Sequence, residues 1–223
     1  MVRVHRLLRQ SKAKLEEAVR LAEVGHDGEI VVVICKRAGN YGRQESIFAF
    51  LISILTLSIA WLSLQKVVPS SPWDTGPSVY FSLLYVVITL VIGFVLGQLL
   101  IGRFPKLVKP FVGRRNLRKY AENEAAVCFW RYRVSKTERR TGVLLFVAEL
   151  ERTVAVLGDE AIQDSVSDAE WELIRDCILE GIRGRDPVGG VLSGIEQAGN
   201  LLRTRIPSGS SNPNELSNAV YFR

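Results

Sequence analysis

Histidine is almost absent from this sequence of 223 residues, with only His5 and His26 present. A zinc site built on imidazole therefore has little to draw on. A Ser-His-Asp arrangement would have to recruit one of these two from a helix or its terminating loop. Cysteine is scarce as well: Cys35, Cys128 and Cys177 show no CxxC spacing, and each falls in an apolar pattern that points to buried packing. No G-x-x-x-x-G-K phosphate loop occurs. The basic start, Met1 to Arg6, has no apolar run or small-residue cleavage site behind it, so no cleaved signal peptide is expected.

Charge is missing from two stretches, Ile47–Leu64 and Val79–Ile101. As helices they would extend roughly 27 and 34 Å, enough to cross a hydrocarbon core. They read as a transmembrane hairpin, with a polar turn over 65–78 between them. Lys36, Arg37 and Arg43 precede it, and Arg103, Lys106, Lys109, Arg114, Arg115, Arg118 and Lys119 follow it. The turn offers only Lys66 against Asp74. Positive-inside bias predicts a multi-pass protein of the cell (inner) membrane, with both termini cytoplasmic. The net charge of +6 is concentrated beside these spans, where it meets anionic headgroups. With no aromatic-interleaved basic patch elsewhere, nucleic acid is not an expected partner. No charge lies inside either span to suggest transport.

The rest of the chain is patterned like a globular domain. His5–Val24 has an amphipathic stripe through Leu8, Leu15, Val19 and Ala22, predicting one helix. Ile30–Cys35 is a β-branched run, apolar on both faces, as in a central strand covered by helices on both sides. After the hairpin, a helix from about Asn116 carries Leu117, Ala121, Ala125 and Cys128 on one face. Val143–Val147 and Thr153–Leu157 then form two strands, with Glu149 to Arg152 as the turn between antiparallel neighbours. Ser167 and Glu170 form a capping box ahead of a helix burying Trp171, Ile174, Ile178 and Ile182. Asp186-Pro187 starts a last helix, whose Gly189, Gly190, Gly194 and Gly199 permit close approach of a neighbour. The Ser/Asn/Pro-rich end reads as loose.

The expected fold is therefore α/β: a small sandwich with a mixed sheet, carrying an inserted two-helix transmembrane hairpin. Residues 1–42 supply the first helix and strand, 43–103 the hairpin, 104–207 the remainder of the domain, and 208–223 a flexible tail. Because the hairpin lies between two strands of one parallel unit, it tethers a single domain without dividing it.

Residues Thr141 to Ala148, then Glu151-Arg152, Val154, Val156 to Asp159 and Ile162, resemble the TPM domain family, the TPM phosphatase group. Gly28 to Val33, the Trp171 helix, Gly190-Val191-Leu192 with Ile195, Gly199 and Leu201-Leu202, Ile206-Pro207 and Asn214-Glu215-Leu216 extend the match. The resemblance implies a Rossmann-like α/β/α sandwich with a cleft of acidic loops. Some relatives bind calcium there, some show weak acid phosphatase activity, and thylakoid members assist photosystem repair. Phosphatase-type members carry Asp-Asn-Gly before the second strand; here the place reads Arg140-Thr141-Gly142. A cation thus replaces an acidic ligand, which weakens the case for a hard cation that wants several oxygens.

The candidate acidic cluster is Glu149, Glu151, Asp159, Glu160 and Asp164, around the ends of the second and third strands. Asp159, Glu151 and Glu29 are the expected metal residues if calcium is held. The plainer alternative makes Glu151 a turn residue, Asp159 and Glu160 a helix start, and Glu29 a strand-edge charge. Catalytic residues are not identifiable. Two functions follow. One is a non-catalytic binding, assembly or stabilising module in a membrane complex, with the lipid bilayer and a protein as partners. The other is a weak calcium-dependent, acid-phosphatase-like enzyme.

Overall fold

The computed structural model describes residues 2–64, 83–206 and 215–223. It divides into an α/β unit, made of 1–39 and 114–223, and a helical unit over 40–113.

In chain order the α/β unit contains α1 (Val2–Gln10), α2 (Lys12–Ala22) and β1 (Glu29–Cys35). In the helical unit, α3 spans Gly42–Leu64 and α4 spans Leu83–Arg103. The α/β unit resumes with α5 (Arg114–Arg131), β2 (Gly142–Ala148), β3 (Thr153–Gly158) and α6 (Glu160–Gln163). It ends with α7 (Asp168–Arg183), α8 (Pro187–Arg205) and β4 (Val220–Phe222).

The sheet order is β3-β2-β1-β4. β1 runs parallel to β2, with Val31 opposite Leu144 and Val33 opposite Phe146, while β3 runs antiparallel to β2. All seven residues of β1 and all seven of β2 are buried. Strand alternation sends Ile30, Val32, Ile34, Val143, Leu145 and Val147 into one core, with residues of α1, α2, α7 and α8. Val31, Val33, Leu144 and Phe146 go into a second core against Ala121, Ala125 and Cys128 of α5. Helices therefore cover both faces, which is why these strands are apolar throughout.

Two features differ from the sequence reading. The expected single helix over His5–Val24 is divided at Ser11, which sits at φ −93° and ψ 13° with no side-chain cap. Serine is a weak helix residue because its hydroxyl competes for local backbone groups. Leu8 and Leu15 are fully buried on either side of the break. The tail is not loose to its end. Val220, Tyr221 and Phe222 add to the free edge of β1 as a parallel strand, opposite Val32, Val33 and Ile34. The composition-based reading failed because the apolar triplet follows a polar stretch and finds its partner only in three dimensions. Residues 207–214 lie outside the described residues.

Close approach explains several glycines. A Cβ on Gly142 would sit 2.2 Å from the Val134 carbonyl oxygen, so β2 can begin there only with glycine. Between α7 and α8, a Cβ on Gly190 would lie 2.7 Å from the Gly181 Cα, and one on Gly194 would meet Ile178 at 2.3 Å. The expected tight packing of the last helix is thus present. The capping box of Ser167 and Glu170 forms, and Asp186 accepts the Gly189 amide at 2.9 Å.

In the helical unit, α3 and α4 are long and apolar enough to cross a membrane. Their shared face is small: a Cβ on Gly93 would come 2.7 Å from the Ser53 Cα, and one on Gly97 would come 2.6 Å from the Ala49 Cα. The Ser53 hydroxyl donates to the Leu90 carbonyl at 2.7 Å. Small residues and an interhelical hydroxyl bond are the means by which helices pair in apolar surroundings. Most of the remaining side chains, including Phe50, Leu55, Leu62, Leu84 and Leu99, are exposed. The expected turn over 65–78 and the start of the second span at Val79 fall outside the described residues.

Candidate functional site

The sheet has two ends, and the acidic residues divide between them. At one end β1 and β2 start and β3 finishes. Glu29 opens β1 opposite Gly142, and the Asp159 amide donates to the Gly142 carbonyl at 2.9 Å. Glu29 and Asp159 therefore flank the same residue. At the other end lie Glu149 and Glu151, in the turn between β2 and β3. Glu151 is thus a full strand length from the other two expected ligands, roughly 20 Å for seven residues. The three do not form one site, and no group of three metal-ligating side chains gathers among the described residues. The sequence placed them together because all three flank strand ends; direction along the sheet, which one-dimensional proximity hides, separates them.

Each carboxylate has a local structural task. Asp159 Oδ1 accepts the Glu160 amide at 2.9 Å and caps α6, while its Oδ2 is buried without a hydrogen-bond partner among the described residues. Glu151 Oε1 accepts the Ala38 and Gly39 amides at 3.0 and 3.3 Å, fastening the chain after β1. Glu29 accepts the Glu215 and Leu216 amides at 3.2 and 3.3 Å. Burial pushes the Glu29 carboxyl upward, against those two bonds.

Arg140 is in the left-handed region at φ 54° and forms an ion pair with Glu160. Its neighbour Arg139 pairs with Asp27. The Thr141 hydroxyl donates to the Asp27 carbonyl at 2.6 Å. This end of the sheet is therefore cross-linked by arginine–carboxylate pairs where a hard cation would need those oxygens.

At the opposite end, His5 Nδ1 lies 2.7 Å from Glu149 Oε1, both side chains being buried. The His5 ring meets the Phe222 ring edge-on at 5.5 Å. Burial pushes the Glu149 carboxyl up to about 7, opposed by the positive charges of the chain's amino terminus and Lys36 and by a hydrogen bond from the His5 backbone, and burial lowers His5. The geometry suits one shared proton. The one signal for His5 in the sequence is its place three residues before Leu8, on the same helical stripe.

A second unforeseen group holds the tail. Glu16 Oε1 accepts the Val220 amide at 3.1 Å, Glu23 pairs with the Asn218 amide group, and Glu29 takes the two amides named above. Glu23 Oε1 also accepts the Ile30 amide at 2.8 Å. Burial pushes the Glu23 carboxyl up to about 8, opposed by the Ile30 bond and reinforced by Glu29.

The remaining candidates are structural. The His26 ring closes the turn between α2 and β1, accepting the Gly28 amide at 3.0 Å on Nδ1 and reaching the Ala22 carbonyl at 2.7 Å through Nε2. Burial pushes the Cys35 thiol up to about 11 and raises Cys128 also, away from the thiolate that reactivity requires. Cys177 donates to the Ser193 hydroxyl at 3.0 Å.

Comparison with known proteins agrees with this fold. The TPM domain of the TPM_phosphatase family matches residues 112–201. Among solved structures, the BA42 protein of the psychrophilic bacterium Bizionia argentinensis, determined by NMR, is similar with a TM-score of 0.55 and 19% identity. The alignment covers 96% of this chain and 93% of that one. No curated protein matches. The stretch similar to the TPM domain begins at the end of the helical unit and runs through β2, β3 and most of α8.

Proposed function

We propose that this is an integral membrane protein whose TPM domain works as a non-catalytic binding or assembly module. The observation that carries the reading is the separation of Glu151 from Glu29 and Asp159, together with the pairing of Arg140 to Glu160. Carboxylates that would have to converge on a divalent ion are each fastened to backbone amides or arginines instead. The parallel arrangement of β2, β1 and β4, with helices on both faces, supports a Rossmann-like sandwich for the domain.

The membrane part rests on two helices with apolar, outward-facing surfaces that would be costly in water. The flanking cations favour both chain ends on the cytoplasmic side of the inner membrane. A reporter fused after Arg223 is expected to behave as cytoplasmic; activity on the far side would overturn the orientation.

The competing enzymatic reading has one point in its favour, the orphaned Oδ2 of Asp159. It is tested by titrating calcium into the full chain and melting it, because a ligand of the native state alone raises the melting temperature. No shift is expected. Asp159→Ala should lower stability by about 1 kcal/mol through loss of the α6 cap and leave hydrolysis of a phosphate ester at the uncatalysed rate. A calcium-dependent rise abolished by Asp159→Ala would replace the binding-module reading with a metal site.

A further inference from the structure

β3 is the outer strand of the sheet. Among the described residues, Val154 to Leu157 make no backbone–backbone hydrogen bonds beyond those to β2. Sheets normally cover or blunt such an edge, because its unpaired amides and carbonyls invite another strand. Here every residue of β3, Thr153 through Gly158, lines a groove of about 860 Å³. Arg118 and Glu122 of α5 form one wall, and Trp171, Arg175 and Leu179 of α7 form the other.

The strand edge selects the occupant. Unpaired amides and carbonyls on an outer strand are met by another extended chain lying about 4.8 Å away. A helix bonds its main-chain groups internally and has none to offer them. The same recess disfavours a second copy of this chain, since its own α5 and α7 walls would hold the two β3 edges apart.

Charge selects the direction and the chemistry. A Cβ on Gly158 would meet the Trp171 ring at 2.9 Å, which fixes the start of α7 at the Gly158 end. Arg183 also lines the groove, twelve residues or about 18 Å further along α7, and so falls at the Thr153 end beside Arg152. Arg118 is paired with Glu122, and Arg175 with Glu172 and Asp176. Neither Arg152 nor Arg183 is in an ion pair among the described residues, and both are exposed. Asp168 and Gln163 occupy the Gly158 end.

We propose that the groove takes an extended peptide segment of a partner protein, added antiparallel to β3, whose acidic last residue or terminal carboxylate is held by Arg152 and Arg183. Main-chain bonds to β3 supply the register and the two guanidinium groups supply the selectivity. The inference rests on the binding-module reading of the domain and names its surface.

The test uses the full chain in lipid nanodiscs and fluorescent hexapeptides of alternating threonine and valine. One peptide ends in glutamate with a free carboxylate, one in glutamine amide, one in lysine amide, and one is the acidic peptide with alternate amides N-methylated. The acidic peptide is expected to bind at least tenfold tighter than the lysine peptide, and N-methylation is expected to abolish binding. The double variant Arg152→Glu/Arg183→Glu is expected to reverse that preference while its melting curve stays unchanged. Absence of binding by every peptide, or binding indifferent to the charge reversal, overturns the proposal. So does efficient disulfide formation between copies of a Thr153→Cys variant, which would make the edge a contact between like chains. A calcium-dependent melting shift would sink the binding-module reading through a different measurement, so the two failures are distinguishable.

Discussion

Replacing Phe146 by alanine is expected to destabilise the α/β unit by about 3–5 kcal/mol. Phe146 is fully buried at the middle of β2, opposite Val33 on one side and Ala155 on the other. Its ring fills the layer between the sheet and α5, beside Ala121, Ala125 and Cys128. The α5 residues facing it are small, and β2 is fixed by ladders on both edges, so little can move inward to fill the space. The loss is thus both the transfer free energy of the ring and the unfilled cavity. Against a typical domain stability of about 5–15 kcal/mol, this is a large share. At about 2–4 °C per kcal/mol for a domain of this size, heat denaturation should show a fall of roughly 6–20 °C. Leu173→Ala, at an exposed position of α7, should shift the melting temperature by no more than about 2 °C. Equal effects at the two positions would contradict the placement of the second core.

Raising the pH from 5 to 9 is expected to weaken this domain, contrary to the usual behaviour of carboxylates. Glu23 and Glu149 are held protonated by burial, up to about 8 and about 7. Glu29 is raised for the same reason. Between the ordinary carboxyl value near 4.5 and these folded values, the folded state binds protons that the unfolded state has released. Stability therefore falls as pH rises through that window. The contribution is whole below about 4.5 and is lost by about 8 for Glu23. His5 and His26, lowered by burial, act in the opposite sense and only as pH falls below about 6.5. Each unit of displacement is worth about 1.4 kcal/mol, so Glu23 alone accounts for a loss on the order of a few kcal/mol. Glu23→Gln keeps a carbonyl oxygen for the Ile30 amide and removes the charge. Its melting temperature should exceed that of the native chain at pH 9 and match it near pH 5. A parallel displacement at both pH values would refute the titration.

Much of the architecture is legible in the sequence because it is local. The β-branched run at Ile30–Cys35, the capping box at Ser167 and the Asp186-Pro187 helix start each announce themselves through neighbours a few residues away. The turn from Glu149 to Arg152 is equally short, and it forces β3 antiparallel to β2. The helical break at Ser11 was not legible, because the apolar stripe continues through it.

The candidate site fared differently. Clustering by sequence put Glu149, Glu151, Asp159 and Glu160 together, yet β3 carries the chain from one end of the sheet to the other between the first pair and the second. His5 and Glu149 are 144 positions apart and meet at 2.7 Å. Glu16, Glu23 and Glu29 find the tail amides across nearly two hundred residues. Pairings of that kind carry no periodicity, so nothing local marks them.

What the sequence determined by itself was the class of fold and the two long uncharged apolar helices. Each follows from composition and short-range pattern, in which burial dictates residue type. What only the tertiary structure decided was the partner of each buried charge, the fourth strand and the open edge of β3. Strand order and direction set which distant groups become neighbours, and an ionisable side chain takes its role from the partner it finds there.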